Sequence, residues 1–277
     1  MIYPEEFMFV GQDPKITSLQ NLKIKFLIKL RQKRVRDEHQ QFLIEGYREL
    51  LRAYEGRAKI ETLFICPSLF LGENEGVLID SFQQQGAEVL ECSPEVFEKI
   101  SYRDRPDGLL ALAKQTPLSL DQLQFKNKVP YFILAVQIEK PGNLGTILRS
   151  ADAVGADAVF VVDHVTDIYN PNVVRASVGT LFTQPVIQVD SDEIYSWLKA
   201  NEIQIVASSP DAKRVYTEAD FSKPTALLVG SEQYGLEDHW FEKADFSVSI
   251  PMKGAADSLN AATSTTVLLY EILRQRT

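Results

Sequence analysis

The sequence predicts an α/β protein of two domains, the second built on a largely parallel sheet. Three observations carry this expectation. Short apolar runs of strand length alternate with segments of helical periodicity along the 277 residues. A polar connector, residues 115–128, interrupts the alternation, which restarts at Val129. Beyond it, Tyr131-Phe-Ile-Leu-Ala-Val136 runs into a Gly/Asn turn and then a helical pattern. That layout belongs to parallel sheets, whose ligands sit at the carboxyl ends of the strands.

Residues 1–15 read as an extension and 16–114 as a small α/β domain. Its first helix is expected from Ser18 to Arg36, because Leu19, Leu22, Phe26 and Leu30 recur at helical spacing. A strand closed by glycine follows at Phe42-Leu-Ile-Glu-Gly46, then a helix from Tyr47 to Tyr54. Strands are expected at 62–66, 87–90 and 109–113, and helices at 77–85 and 94–100. The second domain, 129–277, should carry strands at 131–137, 158–162, 185–189, 203–207, 225–229 and 246–250. Its helices should cover 144–154, part of 172–179, 194–201 and a terminal stretch from Ser258 to Arg274.

Composition narrows the class. An apolar content of 45% with 24% charged residues fits a globular protein with sound cores. No apolar run reaches the roughly 20 residues that span a bilayer, and the N-terminus lacks the features of a signal peptide. Cys66 and Cys92 read as reduced thiols, which together with the missing signal points to the cytoplasm. Three scattered histidines, His39, His164 and His239, give no metal-ligand spacing, so no metal is expected. The net charge of −9 argues against nucleic acid at first sight. Yet Lys23, Lys25, Lys29, Arg31, Lys33, Arg34 and Arg36 form a stretch with no acidic residue, and such a stripe can contact phosphates. A plain solvated helix face is the alternative.

Three loops at strand ends hold the candidate chemistry. In the first, Glu139 to Gly145, glycines allow close backbone approach, Asn143 is placed to cap the following helix, and Arg149 lies on its open face. Gly142 and Gly145 lack the third glycine of a dinucleotide fingerprint, which disfavours a nicotinamide oxidoreductase. In the second, Gly230-Ser-Glu-Gln-Tyr-Gly-Leu236, two glycines bracket a turn carrying Glu232. The third, Ile250-Pro251 to Ser258-Leu-Asn260, leads into the last helix, for which Asp257 or Ser258 is the expected cap. That helix opens on Asn260-Ala-Ala-Thr-Ser-Thr-Thr266, poor helix-forming sequence that needs tertiary support. Taken singly, Asn143 is an ordinary cap, Arg149 a partner for Asp152, and Glu232 a solvated carboxylate.

Together and in this order, the loops resemble the three motifs of the SpoU (TrmH-type) RNA ribose 2′-O-methyltransferases of the SPOUT superfamily. The residues concerned are Asn143-Leu-Gly-Thr-Ile-Leu-Arg149, Gly230-Ser-Glu232 with Gly235-Leu236, and Ile250-Pro251 with Ser258-Leu259-Asn260. Asn170-Pro-Asn-Val-Val-Arg-Ala-Ser-Val-Gly179 is similar to a further element of that family, and Phe42 to Gly46 to the start of its L30e-like RNA-binding domain. Gln233 and Ala262 depart from the common glycine and serine.

The resemblance implies a trefoil-knotted methyltransferase domain, a homodimer, and S-adenosylmethionine as methyl donor. It implies donor contacts at Gly230, Ile250 and Leu259, and catalytic roles for Asn143, Arg149, Glu232, Ser258 and Asn260. Arg149 would hold RNA phosphate and developing oxyanion charge, since a guanidinium stays protonated and cannot serve as base. The substrate implied is ribosomal RNA of the large subunit, gripped through the N-terminal domain. A transfer-RNA methyltransferase and a non-catalytic RNA-binding assembly factor are the alternatives.

Overall fold

The computed structural model describes residues 15–277; most of the expected extension, residues 1–14, lies outside the described residues. The chain divides into two compact units, Met1–Thr116 and Pro117–Thr277.

In the first unit the order is α1 (Leu22–Lys29), α2 (Lys33–His39), β1 (Gln41–Glu45), α3 (Tyr47–Glu55), β2 (Ile60–Ile65), α4 (Glu75–Gln84), β3 (Glu88–Glu91), α5 (Pro94–Ile100) and β4 (Leu109–Lys114). The sheet runs β1-β4-β2-β3. β4 is antiparallel to both of its neighbours, and β2 is parallel to β3. Ile24, Leu27 and Leu30 join Phe64, Leu90, Phe97 and Leu110 in one buried cluster, which removes their apolar surface from water.

The single helix expected from Ser18 to Arg36 is in fact two, α1 and α2, separated at Leu30–Gln32. Arg36 explains the break. Its Nη1 donates to the carbonyls of Leu30 (2.7 Å) and Arg31 (2.9 Å), groups left without intrahelical partners where α1 ends. Arg36 is 2% exposed, so it is a structural clamp and is withdrawn from the expected RNA-facing stripe.

The second unit comprises β5 (Tyr131–Val136), α6 (Pro141–Val154), β6 (Ala158–Val162), α7 (Pro171–Ala176), β7 (Val186–Val189), α8 (Ser191–Ala200), β8 (Gln204–Ser208), β9 (Thr225–Val229), α9 (Asp238–Lys243), β10 (Phe246–Val248) and α10 (Ala261–Arg276). All six strands pair in parallel, in the order β10-β8-β9-β5-β6-β7. Every residue of β5 is buried, as a strand covered on both faces requires. Phe132, Leu134 and Val136 pack with Ile194 and Leu198 of α8 and Trp240 of α9. Helix α6 packs against both α7 and α10, and it also meets β5 and β6. The short α9 has no counterpart among the elements expected from the sequence.

Residues 117–128 are built into this unit rather than free as a linker. Leu118, Leu120 and Leu123 pack on its core. Asp157, fully buried, accepts from the N–H groups of Lys126 (2.6 Å), Asn127 (2.9 Å) and Tyr131 (2.9 Å), and from Asn127 Nδ2 (2.9 Å). One carboxylate thus ties the entry segment to the first residue of the central strand.

Among the described residues, no helix is long and apolar enough to cross a membrane. Among the same residues, no group of three or more His, Cys, Asp or Glu side chains is placed to hold a metal ion.

Candidate active site

The chain leaves β5 towards β6 on one side of the sheet and leaves β9 towards β10 on the other, so a crevice opens between the carboxyl ends of these neighbours. The three loops meet there. Glu232, on the loop after β9, accepts from the backbone N–H of Glu139 (3.2 Å) and of Lys140 (3.4 Å), at the end of the loop after β5. It also accepts from Asn143 Nδ2, and Asn143 Oδ1 in turn accepts from Asn260 Nδ2 at 3.1 Å. One hydrogen-bonded chain, Glu232–Asn143–Asn260, joins all three loops.

This arrangement revises two expected caps. Pro141 occupies the first turn of α6, where its missing N–H costs nothing and its fixed φ favours the helix. Asn143 therefore lies inside the first turn, and its amide is free to bridge rather than cap. At α10 the cap is Asn260, whose Oδ1 accepts from the N–H of Ala262 (3.0 Å) and of Thr263 (3.4 Å). The weak first turns of α10 are braced as well. The brace is tertiary, since Thr266 pairs with Ser150 of α6 at 2.7 Å. The hydroxyls of Ser264, Thr265 and Thr266 also donate to carbonyls four residues back, which satisfies them without strengthening the helix.

The second loop is a closed ring of backbone. Ser231 and Gly235 exchange N–H···O bonds, each 3.0 Å, and Tyr234 N donates to Ser231 Oγ at 3.1 Å. A Cβ on Gly230 would overlap the backbone of Gly235 and Leu236, so only glycine lets the loop close this tightly. Gly145 is likewise required by contact: a Cβ there would press on Ala176 and the backbone of Val173 and Ser177, where α6 and α7 meet.

Glu232 carries its charge in a partly buried place. Burial opposes ionisation, but bonds from Asn143 and from the backbone of Glu232, Glu139 and Lys140 outweigh it, and its pKa falls below the usual carboxylate range. The sign follows: a depressed carboxyl adds stability above its unfolded pKa and loses it as pH falls through the folded one. Glu232→Gln should therefore lower the melting temperature at neutral pH, and the gap to the unmodified protein should close as the pH is taken below the carboxylate range. A gap independent of pH would show that the charge of Glu232 contributes nothing.

A cleft of about 530 Å³ opens beside this chain of bonds. Gly230, Glu232, Ser258, Leu259 and Asn260 line it, as do Lys140, Tyr234, Phe241, Ser264 and the segment Ser208 to Asp211. That last segment follows β8, and its Ser-Ser-Pro-Asp composition after an apolar run is a turn signal at a strand end that could have marked it. Asn143 sits behind the lining, joining its walls. Arg149 and Ile250 are not in the lining. Arg149 is exposed on α6, and it makes no ion pair with Asp152 or with any other described residue.

A glycine-walled cleft at the switch point of a parallel sheet, closed by a carboxylate–amide–amide bridge, defines a small-molecule site within an α/β enzyme domain. The profile of the SpoU rRNA methylase family matches residues 130–270, and that of the MRM3-like substrate binding domain matches 21–111. The chain is 33% identical to the 23S rRNA (uridine(2479)-2′-O)-methyltransferase of Streptomyces viridochromogenes, over 85% of this chain and 83% of the relative. It is similar to the crystal structure of an RNA 2′-O ribose methyltransferase, with 40% identity, a TM-score of 0.84 and coverage of 95% of this chain and 99% of the other. An AdoMet-bound rRNA methyltransferase from Sinorhizobium meliloti superposes with a TM-score of 0.87 at 32% identity, covering 96% of this chain and all (100%) of the other. The chain belongs to the SpoU rRNA methylase family. It is an S-adenosylmethionine-dependent RNA ribose 2′-O-methyltransferase.

Proposed function

We propose that this enzyme methylates a nucleotide of large-subunit ribosomal RNA, with the donor in the cleft and the RNA approaching from the side of Arg149. The observation that carries the reading is the bonded chain Glu232–Asn143–Asn260, which makes one pocket of three separate loops. The cleft fits the donor in kind. Gly230 lets the second loop close tightly along the cleft wall, Leu259 and Phe241 supply apolar surface, and the ionised Glu232 complements a sulfonium. When bound, S-adenosylmethionine supplies the methyl group for an in-line displacement, in which alignment is the main demand. Gly230 and Leu259, which line the cleft, are assigned to donor contacts, as is Ile250 of the third loop, which lies outside the lining. Ser258 and Asn260 order the cleft rim, Asn143 fixes the first loop, and Arg149 offers its guanidinium to RNA phosphate and the developing oxyanion.

The chain is also proposed to be knotted and dimeric. In support of the knot, residues 249–260 start from β10 at the sheet edge. They must pass the ends of β8 and β9 before Asn260 can reach Asn143 after β5. A cytoplasmic location goes with a ribosomal RNA substrate.

RNA grip falls to fewer cations than the charge run counts. Lys23 pairs with Glu88 (2.6 Å) and Lys33 with Asp37 (3.0 Å). Arg31 donates to the carbonyls of Lys99 (3.0 Å) and Ser101 (2.9 Å) and lies over the Tyr102 ring. Lys25, Lys29 and Arg34 are exposed and have no ion-pair partner among the described residues. Reversing the charge of these three should weaken RNA binding and flatten its salt dependence by about 0.7 to 0.9 for each phosphate no longer neutralised. An unchanged salt slope assigns them to solvated surface.

The function itself is tested with protein-free RNA and labelled donor. Label should enter large-subunit ribosomal RNA and not transfer RNA. Label in transfer RNA alone would move the substrate to the other class.

A further inference from the structure

The cleft carries an aromatic side chain that the donor does not account for. Tyr234 is 76% exposed, although it lines the cleft two residues after Glu232. Its backbone is fixed by the paired bonds of Ser231 and Gly235 and by the bond from its own N–H to Ser231 Oγ. A large ring is thus mounted, open to solvent, on one of the most constrained turns of the site. The other aromatic of the lining, Phe241, is 37% exposed, about half as much as Tyr234. A purine held inside the cleft needs sheltered walls, which the half-buried Leu259 offers and a ring three-quarters in solvent does not.

We propose that Tyr234 is the surface on which the base of the target nucleotide stacks, so that its ribose is presented over the cleft. The inference rests on the RNA methyltransferase reading above. For a ribose 2′-oxygen to approach a donor in a crevice, the nucleotide must be splayed from its neighbours, and the lost base–base stacking must be offset. Every base has a π-face, so a ring at the rim offsets that loss whatever the base. The turn places this ring beside Glu232, whose bonds hold the first and second loops together.

The test uses the full chain, in vitro transcribed large-subunit ribosomal RNA and S-adenosylhomocysteine. Tyr234→Ala should lower kcat/KM for RNA roughly tenfold or more, through KM for RNA, while S-adenosylhomocysteine affinity stays unchanged. Tyr234→Phe, which keeps the ring, should remain within about twofold of the unmodified protein. A fall in S-adenosylhomocysteine affinity in Tyr234→Ala would place the ring in the donor pocket and overturn the inference. So would an unchanged KM, or a phenylalanine variant as impaired as the alanine one. If the unmodified protein transfers no methyl group to RNA, the reading beneath the inference fails, and the inference with it.

Discussion

Replacing Arg149 by alanine is expected to lower methyl transfer by about 10²–10³-fold, the usual cost of removing one preorganised stabiliser of transition-state charge. Binding of S-adenosylhomocysteine should be unaffected. The two halves of this result come from one geometric fact. Arg149 lies on α6, the helix that begins at the first loop, yet it is outside the cleft lining and exposed. Buried Leu144, Ile147, Leu148 and Ala151 hold α6 in the core, so the Arg149 guanidinium projects from a rigid element rather than a mobile loop. It has no carboxylate partner among the described residues, so its charge is available to a polyanion. Lysine should rescue only in part, because a point charge cannot reproduce the planar fork. A variant that binds the donor poorly would place Arg149 in the donor site instead.

The second large effect is on stability. Asp157→Ala should destabilise the second unit by about 3 kcal/mol, since it strands the buried N–H of Tyr131 and three part-buried donors at once. The thermal midpoint should fall by roughly 6–12 °C. The carboxylate holds the N–H groups of Lys126, Asn127 and Tyr131 together with the side chain of Asn127, and it has no exposure. Asp157→Asn should lose less, because one carboxamide oxygen still accepts. Tyr131 also begins the strand whose far end leads into the first of the three loops at the cleft, so the loss should reach activity at elevated temperature before it does at low temperature. Equal stability of the alanine variant would mean that water replaces all four bonds.

Much of the fold is legible in the sequence because its signals are local. The apolar runs at Phe42, Tyr131, Ala158 and Thr225 became β1, β5, β6 and β9 with bounds shifted by a residue or so. What escaped depends on partners distant in sequence or on competing caps. The apolar spacing of Leu22, Phe26 and Leu30 continues smoothly, and nothing in it announces that Arg36 folds back on the carbonyls of Leu30 and Arg31. Asp257, Ser258 and Asn260 are all chemically fit to cap α10; the bond to Asn143, 117 residues away, accompanies the choice of Asn260. For α6, Pro141 is itself a start signal in the sequence, and it places Asn143 inside the first turn, where its amide can bridge. The order of six parallel strands, which brings the ends of β5 and β9 side by side, is not a property of any one segment.

If these three loops form one site for methyl transfer to a ribose of ribosomal RNA, the modification must follow the protein in the cell. The decisive measurement is a map of 2′-O-methyl groups in ribosomal RNA, made in cells that lack this gene and then carry either the unmodified protein or Arg149→Ala. One 2′-O-methylated nucleotide of the large subunit should disappear in the deletion, return with the unmodified protein and stay absent with the variant. An unaltered map in the deletion, or restoration of the methyl group by Arg149→Ala, would contradict this assignment.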